Sequence, residues 1–404
     1  MESIKAPILI SIFALVIAAC GADVGDTGES QTTSTTDSVS TSAVSEEGSL
    51  PEGPSALEDR FNPEFPEPLV DPEEIVSGGP PPDGIPPIDE PKFVTVSAAD
   101  EWLDDREPVF VVDINGDVRA YPIQILIWHE IVNDTVGGVP VAVTYCPLCN
   151  SALTFERTIQ GVETTFGTSG SLYFANLVMY DRATESLWNQ LDGRAVVGVL
   201  TGEQLELIAS TMVAWADFKD AWPDAQVLDK NRTGAQRDYG TNPYTGLDNP
   251  DGQPFLFRGE VDSRAKAMQR VVAMEDGDDA VAWTLDALQA NGDTPTVTTG
   301  EFAGAPVVIF WKPGQGSALE TSAVEEGREV GTVGVFSPTV DDQTLTFAPD
   351  GDDFVDQETN STWNILGRAV DGPLSGETLR PITHVRTFWF SWSTFRPETE
   401  LIDG

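Results

Sequence analysis

The sequence Cys146-Pro-Leu-Cys149 sets two thiols two residues apart. That spacing can form a disulfide, exchange with one, or grip a metal ion. His129 and Glu130 lie shortly upstream, in Trp128-His129-Glu130-Ile131. An imidazole serves a thiol as base or as cationic partner, and a carboxylate takes or gives a proton. Read as a redox site, Cys146 attacks and Cys149 resolves. The attacking form is the thiolate, which needs backbone N–H groups or a positive neighbour to stabilise it.

The same residues support a metal reading. A closed structural zinc site needs four protein ligands, and only Cys146, Cys149, His129 and the distant His384 are evident, with Glu130 as an oxygen donor. A set of Cys146, Cys149 and His129 with one open position suits copper or zinc. The Cys-x-x-Cys spacing resembles the active-site motif of glutaredoxins and equally a rubredoxin-type metal knuckle. The flanking strands favour the knuckle-like turn over a helix start. A structural disulfide in an exported protein is the third reading.

These side chains must be positioned by strands. Residues 109–114 form an apolar run ending at the turn Asn115-Gly116. Pro122 suits the start of a short helix over 123–128. Residues 139–145 read as a buried strand leading into Cys146. Residues 151–157 are expected to meet 162–166 across Gln160-Gly161 as a hairpin. Residues 212–222, with Trp215, Phe218 and Trp222, read as a helix stopped by Pro223. The fold class expected is α+β, strand-rich and mostly antiparallel, with no dinucleotide-binding or Walker-type loop.

The body is written twice. Residues 140–153 align without a gap on 306–319, and Asp181-Arg-Ala-Thr-Glu-Ser-Leu-Trp188 matches Asp356-Gln-Glu-Thr-Asn-Ser-Thr-Trp363. Trp215 and Phe218 correspond in this alignment to Trp392 and Phe395. We expect a tandem duplication, 92–230 and 259–404, bridged by 231–258. Shared residues such as Asp181 and Asp356 then hold the fold. The cysteines and His129-Glu130 occur in the first copy alone: Cys146 faces Lys312 and Cys149 faces Gln315. The second copy is degenerate.

The first residues read as an address. Residues 6–19 are apolar and end Leu15-Val-Ile-Ala-Ala-Cys20, too short to span a bilayer of roughly 30 Å. The order of segments is that of a bacterial lipoprotein signal over 1–19, with Cys20 lipidated. Residues 20–91, rich in Ser, Thr, Pro and acidic residues, read as a disordered tether or wrapping arm, with Phe61 and Phe65 able to dock. The formal charge is −44, which argues against nucleic-acid partners. The expected location is extracytoplasmic, with the membrane engaged through the anchor. The partner is a redox protein or a small molecule of unknown identity.

Lesser features carry less chemistry. Asp276-Gly-Asp-Asp279 and Asp350-Gly-Asp-Asp353 lack the EF-hand spacing and read as solvated turns. Gly167–Leu172 reads as a backbone loop near the cysteines, and Arg182 as an anion contact.

Trp128-His-Glu-Ile-Val-Asn-Asp134, Thr144-Tyr-Cys-Pro-Leu-Cys-Asn-Ser-Ala152, Met179-Tyr-Asp-Arg182, Ser186-Leu-Trp188 and Arg237-Asp-Tyr-Gly240 together resemble the family called domain of unknown function 3179. The resemblance runs from about Lys92 to Gly404. It supplies no reaction. Some members carry selenocysteine in this cysteine motif, which implies redox or nucleophilic chemistry at Cys146 and Cys149. His129 and Glu130 match the family's His-Glu motif. Whether the protein is an enzyme stays open.

Overall fold

The computed structural model describes residues 48–289 and 294–404. The expected signal at 1–19 and the first part of the tether lie outside them. Strand Pro108–Ile114 turns at Asn115 and Gly116, whose φ angles of 54° and 80° are both left-handed. Asn-Gly adopts such a pair at low cost, and its twist suits a two-residue hairpin. The chain returns as Asp117–Pro122. Ser210–Ala214 adds antiparallel to the first strand, and Gln226–Leu228 adds parallel to the second. Phe93–Thr95 completes a five-stranded sheet.

A four-stranded antiparallel sheet holds Ile131–Val136, Val139–Cys146, Ser151–Glu156 and Leu207–Ile208. A further sheet runs Ile75–Ser77, Phe166–Tyr173, Asn176–Asp181, Leu187–Asn189 and Arg194–Val197. The α-helices are short; Ile123–His129, Trp215–Ala221 and Trp389–Phe395 have seven residues each. Among the described residues no helix is long and apolar enough to cross a membrane. The fold is strand-rich and mostly antiparallel.

The second half pairs its strands in the same way. Arg270–Asp276 and Asp279–Thr284 form a hairpin, Val385–Phe388 adds antiparallel to the first, and Glu400–Ile402 adds parallel to the second. Thr296–Phe302, Ala305–Lys312 and Thr332–Phe336 form the next sheet, and 347–371 a four-stranded one. Asp276-Gly-Asp-Asp279 and Asp350-Gly-Asp-Asp353 are hairpin turns.

Two buried carboxylates repeat one construction. Asp181 accepts from Trp188 Nε1 at 3.0 Å and from the Thr184 backbone N and hydroxyl at 2.7 and 2.9 Å. Asp356 accepts from Trp363 Nε1 at 2.9 Å and from the Thr359 backbone N and hydroxyl at 2.5 and 2.8 Å.

Several expected correspondences shift. Cys146 pairs with Ser151, but Lys312 pairs with Thr332, so residues 313–331 intervene before the next strand. The ungapped match therefore ends at Lys312, and Gln315 is not placed as Cys149 is. Trp215 opens its helix and so does Trp389, which makes Trp389 its counterpart, one helical turn before Trp392. Residues 212–214, expected as the start of a helix, are strand, and the helix begins at Trp215. The Gln160-Gly161 turn joins only Thr158–Ile159 to Val162–Glu163, because Ser151–Glu156 is already paired with Val139–Cys146. Gly167–Leu172 lies in a bulged strand rather than a loop. Arg182 is neutralised by Asp83 and Asp89 at 3.1 and 2.8 Å.

Residues 48–91 lie on the body. Ile75–Ser77 pairs with Phe166–Tyr173, and Ala56, Ile75 and Ile88 are buried. Phe65 packs against the cluster that holds Ala56 and Ile75, whereas Phe61 stays 56 % exposed. The wrapping-arm expectation thus describes 48–91 better than a disordered tether does. Burying Ile75 and Ile88 contributes on the order of 1.5–3 kcal/mol each toward the entropy of ordering the arm.

The cores run across the halves. Trp215 and Phe218 pack in one cluster with Phe310, Phe354 and Trp363. Cys146, Cys149 and Trp188 share another with Val271, Trp389 and Trp392.

Candidate functional site

Strand Val139–Cys146 stops where Pro147 removes the next ladder donor. Asn150 takes φ 54°, its N–H donates to Pro147 O at 3.2 Å, and the chain re-enters as Ser151–Glu156. The Tyr145 hydroxyl donates to Asn150 Oδ1 at 3.2 Å and ties the turn. No helix begins here, so no helix dipole acts on Cys146.

Both thiols are free and essentially buried, Cys146 at 1 % and Cys149 at 0 % exposure. Cys149 Sγ donates to Ala175 O at 3.5 Å. Burial pushes the Cys149 thiol well above its usual range, and the Cys146 side chain beside it adds to the shift. Ser391 and the Leu177 backbone oppose it.

The second half closes this turn. Cys149 O accepts from Phe388 N at 2.9 Å and from Thr387 Oγ1 at 2.8 Å. Ser391 donates to Asn176 Oδ1 at 2.6 Å. The reciprocal contact falls on Lys312, which ion-pairs with Asp217 of the first half at 2.8 Å. Thr332 Oγ1 donates to the same carboxylate at 2.9 Å. Each half's strand-helix unit thus caps the other's central sheet.

Glu130 ends helix Ile123–His129 in a left-handed conformation, φ 59°. A glutamate rarely adopts it, and here both backbone groups hold it. Its N–H donates to Leu126 O and its carbonyl accepts from Tyr145 N, each at 2.7 Å. Burial pushes the Glu130 carboxyl up to about 8, and the hydrogen bond from Tyr244 at 3.3 Å partly opposes this. Tyr244 is itself raised, first by burial and then by the charges of Glu130 and Cys146. Its contact with Glu130 is a hydrogen bond, while Cys146 acts on it through charge alone.

His129 does not join the sulfurs. Its Nδ1–H donates to Pro86 O at 2.7 Å, which leaves Nε2 to accept from the Tyr239 hydroxyl at 2.6 Å. The rings stack with centroids 5.8 Å apart. Burial lowers the His129 pKa and favours this neutral form. Both nitrogens are committed, so the set Cys146, Cys149 and His129 is not assembled. Among the described residues no three His, Cys, Asp or Glu side chains are grouped to hold a metal ion. His384 donates instead to Ile382 O, in a different cavity.

The segment 231–258 covers the His-Glu pair. Tyr239 meets His129, Tyr244 meets Glu130, and Thr241 O accepts from Trp128 Nε1 at 3.1 Å. Asp248 anchors the strap to Arg270 at 2.9 Å, both buried, and to Arg328 at 2.9 Å. Burial would raise Asp248, but these two guanidinium groups hold it down at about 2. Tyr244, Tyr145, Asn150, Thr387 and Ser391 were not singled out from sequence as site residues. Tyr244, in Asn242-Pro-Tyr244 next to the quoted Tyr239 motif, carried a signal. Thr387 and Ser391 carried none.

A family model described as protein of unknown function (DUF3179) matches residues 82–399. The chain belongs to that family. The DUF3179 match starts inside the arm, earlier than Lys92, and so takes in Pro86, the partner of His129. It extends past Thr387 and Ser391, so both halves of the thiol site fall within it. No curated protein and no solved structure matches this DUF3179 chain.

Proposed function

We propose that this DUF3179 protein is an extracytoplasmic, lipid-anchored thiol-disulfide redox protein whose centre is Cys146 and Cys149. The observation that carries the reading is that the two free thiols are neighbours in one turn, on a strand whose Tyr145 N–H donates to the Glu130 carbonyl. Cys146 passes its proton through Tyr244 to Glu130 and attacks one sulfur of a partner disulfide, releasing a partner thiolate. Cys149 then attacks Cys146, releasing the second partner thiol. The protein ends as a disulfide, and the partner, as a dithiol, gains two electrons and two protons. Because both sulfurs are buried, exchange requires the packing around the cysteine turn to open. The like pairing of the two halves and the twin aspartate-tryptophan constructions support descent of 92–230 and 259–404 from one duplicated unit, with the second half as scaffold. The apolar run ending at Cys20 supports the anchor.

The test is thiol titration and metal analysis of anaerobically purified full chain, followed by equilibration in glutathione buffers. The expected result is a metal-free protein with a reversible Cys146–Cys149 disulfide, more oxidising than about −270 mV. Stoichiometric metal lost in Cys146→Ser would replace this reading with a metal-binding one. A disulfide that resists glutathione would reduce it to a structural bridge.

A further inference from the structure

A cavity of about 510 Å³ opens where the two halves meet, away from the strap. Trp222, Phe336, Ile365 and Leu379 give it an apolar wall, with Asp113 and Arg368 also in its lining. Its size is that of a small-molecule site. A narrow recess of about 10 Å³ shares Ser210, Thr211 and His384 with this cavity and adds Arg386. It has room for one water-sized group.

Arg386 is the unusual residue. It is 7 % exposed, and its three hydrogen bonds go to neutral acceptors: Met212 O at 3.1 Å, Gln315 Oε1 at 3.2 Å and Gly331 O at 2.9 Å. Among the described residues no carboxylate forms an ion pair with it. The charge that acts on it is another cation, Arg270, already matched by Asp248. Burial pushes the Arg386 guanidinium down to about 9. A buried charge without a partner is costly, and a guanidinium fork fits a carboxylate. The Thr211 hydroxyl is buried without a hydrogen-bond partner and lines both cavities.

We infer that this paired cavity binds a small organic carboxylate with an apolar body, one carboxylate oxygen entering the recess toward Arg386 and Thr211 and the body lying against Trp222, Phe336 and Leu379. The strongly negative chain gives no long-range attraction for an anion, so recognition is by the local guanidinium and the apolar wall. The inference is independent of the thiol reading: it stands on the opposite neighbours of strand Val385–Phe388, where Arg386 serves the cavity and Thr387 the cysteine turn.

Calorimetric titration of the full chain with phenylacetate, and with phenethyl alcohol as the uncharged match, tests it. Saturable binding of phenylacetate is expected, with the alcohol weaker on the order of tenfold, the scale of a charged hydrogen bond. Arg386→Met should weaken phenylacetate to a similar degree. Since that variant removes three buried bonds, Thr378→Trp, an exposed change to the cavity lining, provides the second arm and should also weaken it. Absence of saturable binding, equal binding of the alcohol, or full-strength binding by Thr378→Trp overturns the inference.

Discussion

The hydroxyl of Tyr244 donates to Oε1 of Glu130 at 3.3 Å, joining residues 114 positions apart. The contact fixes the strap over the Glu130 carboxyl. It also partly offsets burial, which drives the Glu130 pKa up to about 8.

Tyr244→Phe should raise that pKa further, because the charged form loses a donor. Infrared titration of the carboxyl should show the upward shift. Alkylation of Cys146 near about pH 8 should slow, since a smaller fraction of Glu130 would be ionised and able to take the proton. An unchanged carboxyl titration would remove Tyr244 from the relay.

The burial of Glu130 predicts a pH-dependent stability. Its folded pKa of about 8 lies above the ordinary 4.5, so the folded state binds the extra proton between those values. Stability from this group is complete below about pH 4.5 and is lost as pH rises through about 8, by about 1.4 kcal/mol per unit. Glu130→Gln should abolish that slope. Denaturant midpoints of variant and wild type should converge at acid pH and separate in the variant's favour toward pH 8.

The twin aspartates should be structural. Asp181→Ala and Asp356→Ala each strand a buried tryptophan N–H and a threonine donor, costing about 2–4 kcal/mol. Urea unfolding measures the loss. The thiol reduction potential should stay within experimental error in Asp356→Ala, which lies in the second half and away from the cysteine core.

Thr387→Val keeps the shape of the side chain and removes its bond to Cys149 O. One hydrogen bond, from Phe388 N, remains. The expected cost is about 1 kcal/mol, with faster hydrogen exchange at 147–150. If exchange there is unchanged, the second half does not hold the cysteine turn.

The anchor is tested by Cys20→Ala. Two or more acyl chains give stable attachment where one is marginal. The variant should therefore move from the membrane fraction to the soluble one, and retention on the membrane would refute the lipobox reading.

The sequence by itself determined the local pieces. Asn115-Gly116 dictated a hairpin, Pro147 ended the cysteine strand, and 139–145 formed the buried strand expected. These depend on backbone dihedrals and apolar runs, which are properties of neighbouring residues. Pairing was less legible. The expected pairing of 151–157 with 162–166 lost to Val139–Cys146, which runs alongside for the full strand and leaves a two-residue ribbon at Thr158–Ile159 and Val162–Glu163. The helix at 212–222 failed in its first residues because an open sheet edge at Pro108–Ile114 could satisfy their backbone groups.

The site was half legible for a related reason. The turn Cys146-Pro-Leu-Cys149 and the carboxyl of Glu130 could be named from type and spacing. The fate of His129 could not, since it was settled by Pro86 and Tyr239, which come from the arm and the strap. Tertiary structure alone decided that Thr387 and Ser391 close the cysteine turn and that Arg386 is buried with no carboxylate paired to it among the described residues. Burial, and the partners that burial imposes, arise from segments tens to hundreds of positions apart, and no local pattern encodes them.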